Sequence, residues 1–177
     1  MSEVMPLNNT IAQLHAELGI PDTYARTCAM TFHEDCASLV DAGTDVFDRE
    51  VLMAAPAYKA WLAMQAAASE DDIVLQIVSA FRSAQYQANL LRKKLERGDT
   101  IEDILKVNAA PGFSEHHTGC ALDITTPGYD ALEESFEKSP AFDWLKVYAS
   151  RFGFGLSFPR GNAAGIAYEP WHWKYSG

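Results

Sequence analysis

Apolar residues recur every three or four positions over much of the chain, and at every second position or in unbroken runs over short stretches. Leu7, Ile11, Leu14 and Leu18 keep helical spacing around the cap candidates Asn8 and Asn9, and Gly19 with Pro21 stops the run. A second helix is expected from Asp48 to about Ala68, carrying Val51, Leu52, Ala55, Trp61, Leu62 and Met64, with Pro56 marking a kink or a break. The acidic turn Glu70-Asp71-Asp72 leads into Ile73 to Phe81, an Ile- and Val-rich run that predicts a buried strand. Ala84 to Arg97 follows as a helix stopped by Gly98, and Asp99 or Thr100 caps a short helix through Val107. Past the Pro111-Gly112 loop, Gly119 to Thr125 alternates as a strand, with Cys120, Leu122 and Ile124 on one face and Gly119, Ala121 and Asp123 on the other. Asp130 to Phe152 is expected to be helical and broken at Ser139-Pro140. The Gly- and aromatic-rich end, Gly153 to Tyr175, predicts short strands and turns. This order, free of repeats and linkers, predicts one α+β domain in which residues 1–70 form a helical N-terminal scaffold.

Composition narrows the picture. At 177 residues, 48% hydrophobic and 21% charged, the chain suits one globular domain with a real core. A net charge of -10 without a basic stripe repels phosphate and argues against nucleic acid as a partner. The basic cluster Arg92, Lys93, Lys94 and Arg97 is interleaved with Leu91, Leu95 and Glu96, and is expected to be a solvated helix face. Met1 to Asn9 has neither the basic nor the apolar region of a signal peptide, so a cytoplasmic location is expected. No apolar stretch is long enough to cross a bilayer. Cys28, Cys36 and Cys120 are odd in number and scattered, which favours reduced thiols; a Cys28–Cys36 pair in an oxidising compartment stays open.

Candidate chemistry concentrates in two polar clusters, Ser114-Glu115-His116-His117 and Glu169-Pro170-Trp171-His172, which hold three of the five histidines. Asp123 follows the first cluster within one short strand. Two imidazoles and a carboxylate, with a further carboxylate to spare, are the inventory of a catalytic zinc site with an open position. On spacing alone Asp123 serves equally well as a ligand beside small neighbours or as a surface carboxylate or turn cap.

Ser114 to Asp123 matches the pattern S-x-H-x-x-G-x-A-x-D, and Glu169 to His172 matches E-x-W-H. Ser79-Ala80-Phe81-Arg82-Ser83 with Gln87 is similar to S-x-[YF]-R-S-x-x-x-Q. Together these motifs resemble the D-alanyl-D-alanine carboxypeptidases related to vancomycin-resistance peptidases, in the metallopeptidase group that includes lysostaphin and the hedgehog signalling domain. The resemblance runs from about Ser79 to Trp173. It implies a small antiparallel sheet flanked by helices, with residues 71–177 as the zinc peptidase core. It also implies one zinc per chain on His116, Asp123 and His172. Glu169 matches the carboxylate that takes a proton from the attacking water and returns it to the leaving amine. Arg82 matches an arginine beside the scissile bond, placed to hold the oxyanion or the terminal carboxylate. Ser114 and Gln87 match positions that bind the peptide end, and Trp171 is expected to wall the substrate pocket.

Two registers conflict with simple alternation. An unbroken strand through residue 117 would set His117, not His116, beside Asp123; the Thr118-Gly119 step is expected to break it, and the family pattern decides for His116, which makes His117 an outer or substrate-side group. Glu169 and His172 would likewise fall on opposite faces unless Pro170 makes the approach irregular. Cys120 is expected in the core, and His15 and His33 as ordinary helix or surface histidines. The resemblance implies a peptidoglycan-derived peptide as substrate. Cleavage of an L,D bond or a free dipeptide, or a non-catalytic zinc-stabilised binding module, are the alternatives.

Overall fold

A computed structural model describes residues 8–177 of the protein. Leu7, the first apolar position of the expected N-terminal helix, lies outside the described residues. Helix α1 (Asn9–Leu18) starts where the Asn8 side chain accepts the Ile11 N–H at 2.9 Å, and ends on Gly19 in the left-handed conformation. A short α2 (Tyr24–Thr27) follows.

The expected helix from Asp48 divides differently. Strands β1 (Val40–Thr44) and β2 (Glu50–Met53) form an antiparallel hairpin, and Asp48 takes a positive φ in its turn. Val51 and Met53 point inward while Glu50 and Leu52 point out, so the period here is two. Helix α3 (Ala55–Glu70) begins only afterwards, with Pro56 in its first turn, where a missing N–H costs nothing. Pro56 therefore marks a helix start, not a kink. Residues 40–70 are thus not helical throughout, and Val51, Met53, Trp61 and Met64 share one core with the sheet.

That sheet has four antiparallel strands in the order β3-β4-β6-β5, with β3 Gln76–Ser79, β4 Ala121–Thr125, β5 Phe154–Leu156 and β6 His172–Tyr175. Leu122 and Ile124 of β4 are wholly buried against α3 and α6 (Pro140–Tyr148). Ser139 caps α6 through the Phe142 N–H, and a 3-10 turn, Glu134–Lys138, precedes it, so the expected break falls at Ser139-Pro140. A second core joins α1, α4 (Ala84–Glu96) and α5 (Ile101–Val107) around Leu14, Leu18, Ala88, Leu91 and Ile104. Ser83 and Thr100 cap these two helices. Among the described residues no helix is long and apolar enough to cross a membrane, and all three cysteines are free.

Candidate metal centre and substrate cleft

The cleft lies where the sheet core meets the helical core. Asp123, at the centre of β4, is registered opposite His172 on β6 and Ser79 on β3. Ser114 caps a 3-10 turn, Glu115–Thr118, that ends on Gly119 at φ +68°. A Cβ on Gly119 would lie 2.8 Å from the Ala54 backbone nitrogen, so glycine alone fits there without strain. This turn replaces strand geometry ahead of β4 and swings His116 over Asp123: its Nε2 is 3.2 Å from Asp123 Oδ1. His172 approaches from the other side, its Nδ1 3.2 Å from the same oxygen. Glu169 to His172 is a tight turn in which His172 N–H donates to the Glu169 carbonyl at 3.2 Å. It folds the Glu169 carboxylate back to 3.6 Å from His172 Nδ1.

Neighbouring groups set the tautomers. His116 Nδ1–H donates to the Ala80 carbonyl at 2.5 Å, which leaves Nε2 as an acceptor facing Asp123. His172 Nε2–H meets Glu115 Oε2 at 2.9 Å, which leaves Nδ1 facing Asp123. Opposite charges lie against one another here. Burial works against protonation of His172, yet its hydrogen bonds to Asp123 and Glu115 outweigh that and push its pKa up to about 9. Burial and the Arg82 charge push His116 down to about 4. Burial would raise Asp123, but the histidines and Arg82 hold it well below the carboxylate range. Burial lifts the Glu169 carboxyl to about 7, with Asp123 adding to the effect and His172 opposing it.

The donor set fits a zinc ion. His116, Asp123 and His172 are buried, and one donor atom from each lies within 4.8 Å of the others. Tetrahedral zinc at bonds of about 2.0–2.2 Å spaces adjacent donors roughly 3.3–3.5 Å apart. Both imidazole–carboxylate separations come close to that at 3.2 Å.

All eight candidate residues line one cleft of about 360 Å³. Arg82 Nη1 is 3.9 Å from Asp123 Oδ2, and its buried Nε has no partner. Ser114 Oγ accepts the His116 N–H at 3.3 Å, so it serves as a turn cap as well as cleft lining. Gln87 Nε2 donates to the Ala109 carbonyl at 2.8 Å, while its buried Oε1 has no partner. Trp171 walls the cleft and packs against the sheet core.

Other residues depart from expectation. His117 is wholly buried; Nδ1–H donates to the Arg82 carbonyl at 2.6 Å and Nε2 accepts the Gly112 N–H at 3.0 Å. It fixes the backbone that carries Arg82 and is not a substrate-side group. His15 is a helix histidine of α1, as expected, but a buried one and not a surface one, with Nε2 bound to the Pro111 carbonyl at 2.8 Å. Lys94 is not simply part of a solvated face: it is half-buried, lines the cleft and bonds Asn108 Oδ1 at 3.3 Å. Glu115 had no expected role, though it stands beside His116 in the sequence. The segment 157–171 carries Phe158, Ile166, Tyr168 and Glu169 along one wall, and Ala167 N–H donates to the Lys106 carbonyl of α5 at 3.0 Å. That bond joins the two walls at one end.

A four-stranded antiparallel sheet flanked by helices, with a buried His/Asp/His trio under a carboxylate, defines a metallopeptidase-type site. The family model described as VanY, D-alanyl-D-alanine carboxypeptidase, matches residues 50–177, and the chain belongs to that family. It is 29% identical over 136 residues to the bifunctional D-Ala-D-Ala dipeptidase and carboxypeptidase VanXYC of Enterococcus gallinarum, covering 73% of this chain and 70% of that protein. It is 32% identical over 116 residues to YodJ of Bacillus subtilis (strain 168), covering 63% of this chain and only 41% of the relative. Among solved structures, the LD-carboxypeptidase LdcB superposes with a TM-score of 0.73 at 27% identity, over 82% of this chain and 71% of that one.

Proposed function

We propose that this protein is a zinc-dependent carboxypeptidase that hydrolyses the terminal D-alanyl-D-alanine bond of peptidoglycan stem peptides. The observation that carries this reading is the buried trio His116, Asp123 and His172, its donor atoms within 4.8 Å of one another, with Glu169 beside it in the cleft. His116 Nε2, Asp123 and His172 Nδ1 would hold one zinc per chain. When bound, zinc would supply Lewis acidity, polarising the scissile carbonyl and lowering the pKa of water.

The chain's own groups divide the remaining work. Glu169 takes the proton of the attacking water and delivers it to the leaving amine. Arg82 offers its partnerless Nε–H and its terminal nitrogens to the carbonyl oxygen as charge builds there. Gln87 has committed its amide nitrogen to Ala109, so its free Oε1 accepts an N–H from the peptide. Ser114 and Trp171 shape the pocket around the peptide end. Lys94 supplies the positive charge that a terminal carboxylate needs. The joined walls at Ala167 and Lys106 favour a chain end entering the cleft over a chain passing through it.

A second reading, cleavage of an L,D bond, is favoured by the likeness to LdcB at 27% identity. The same trio, base and arginine would serve either bond, because stereochemical choice rests on the cleft walls. Mass spectrometry of products from synthetic pentapeptide, tetrapeptide and free D-Ala-D-Ala separates these readings. D-Alanine from the pentapeptide supports the leading one. Release only from the tetrapeptide moves the assignment to L,D cleavage, and release only from the dipeptide to a dipeptidase. No product from zinc-loaded protein favours a non-catalytic binding module.

A further inference from the structure

The two histidines of the trio are held in different ways. His116 is fixed by the backbone, through Nδ1–H to the Ala80 carbonyl. His172 has no such carbonyl. Its ring is flanked by His116, centroids 4.9 Å apart, and by Phe158 at 4.7 Å. These contacts grip the ring but do not choose its rotamer, because a half-turn about Cβ–Cγ swaps nitrogen for carbon with almost no change in shape. Such a turn would take Nδ1 away from Asp123. At the other ring nitrogen, the group that distinguishes the two orientations is Glu115, whose Oε2 accepts the Nε2–H at 2.9 Å.

We propose that Glu115 is a positioning residue for the metal centre, fixing the tautomer and ring orientation of His172 so that Nδ1 faces the ion. The inference rests on the zinc reading above. The fold accounts for the placement. Residues 172 and 174 point to one side of β6, and the 3-10 turn ahead of β4 lays Glu115 over both. One carboxylate oxygen takes His172, and the other lies 3.4 Å from Lys174 Nζ. Lys174 anchors the carboxylate, so the side chain cannot swing out of reach of the imidazole without giving up an ion pair. Glu115 lines the main cleft and also borders a smaller hollow of about 150 Å³ with His33 and Lys174. It acts on Nε2, the ring nitrogen that does not face Asp123, as an outer carboxylate that orients a ligating histidine.

The test measures zinc dissociation constants by competition with a chromophoric chelator, for the parent, Glu115→Ala, Glu115→Gln and Lys174→Met. Thermal unfolding of the metal-free proteins controls for folding. Glu115→Ala is expected to weaken zinc binding by about 10–100-fold. Glu115→Gln should fall between it and the parent, because the amide oxygen still accepts the Nε2–H but carries no charge. Lys174→Met should stay within about threefold of the parent, since it removes only the anchor. The visible spectrum of the cobalt-substituted Glu115→Ala protein should shift relative to the parent, which a purely structural role would not cause. Unchanged zinc affinity and cobalt spectrum in Glu115→Ala, or equal losses in Glu115→Ala and Lys174→Met, would overturn the proposal. A parent that takes up no zinc at all would overturn the zinc reading itself, a result separable from these because it precedes any mutant comparison.

Discussion

The sheet side and the helix side of the cleft are built on different principles. On the sheet side, Asp123 and His172 are cross-strand partners, and His116 leans over them from a turn fixed by Gly119. Their positions follow from strand register and one left-handed residue, so little freedom remains. On the helix side, Gln87 and Lys94 lie seven residues apart along α4, and each bonds to the segment that follows α5. That wall is held by two side-chain hydrogen bonds and by a separate apolar core. The comparison teaches that the chemistry sits on the part of the molecule with the fewest alternatives. In the proposed function the helix side, held by two side-chain hydrogen bonds, is part of the surface that would read the peptide, and differences in specificity between relatives should therefore collect there.

Breaking the sheet side should have the largest effect. Asp123→Ala removes a ligand outright and should weaken zinc binding by well over the roughly 100-fold typical of losing an outer partner, with an unchanged far-ultraviolet dichroism spectrum. Gly119→Ala comes next. Its Cβ would meet the Ala54 nitrogen and Leu39 Cδ2 at 2.8 Å each, at a φ of +68°. Thermal unfolding should reveal about 2–4 kcal/mol of lost stability. Zinc affinity should fall with it as His116 moves.

Helix-side changes should be milder and of a different kind. Lys94→Met should raise KM about tenfold for a peptide with a free terminal carboxylate, with kcat and zinc affinity nearly unchanged. Steady-state kinetics against the same peptide with an amidated end would sharpen this, because the amide should lose the distinction between parent and variant. The smallest effect is on His15, which burial holds below its ordinary pKa against the hydrogen bond to Pro111. The unfolded chain protonates this histidine near pH 6.5 while the folded chain resists. Its contribution to stability is therefore complete above that pH and is lost as the pH falls through it. Replacing it by glutamine should narrow the drop in melting temperature between pH 7.5 and pH 5 by at most about 2–4 °C, and leave zinc binding alone.

Much of the architecture was legible because local and global signals agreed. Asn8, Ser83, Thr100 and Ser139 cap helices with side-chain oxygens, and Gly19 stops the first helix. The β1–β2 hairpin was missed because Val51 and Leu52 precede a true helical run and can be counted into its period. Only tertiary pairing distinguishes the two, and Pro56 then changes meaning from a break to a start. The site motifs pointed to residues that the fold does gather, but alternation alone could not explain how. The Gly119 turn and the Glu169–His172 turn resolve both parity conflicts by leaving strand geometry just where the histidines need it. The Glu115 and Lys94 positions were not legible, because each depends on what a neighbouring element places opposite it. A basic residue in a run of four looks solvated until Asn108 and the cleft stand against it.

The account's central claim is that a metal trio on the sheet works with Glu169 as its base. The most direct test measures zinc content and D-alanine release from a muropeptide pentapeptide for the parent and for Glu169→Ala. The account predicts about one zinc per chain in both proteins, with turnover lowered by about 10²–10⁴-fold in the variant. Zinc retained with undiminished turnover would contradict Glu169 as the base, and a parent without zinc after loading would contradict the metal site on which the rest depends.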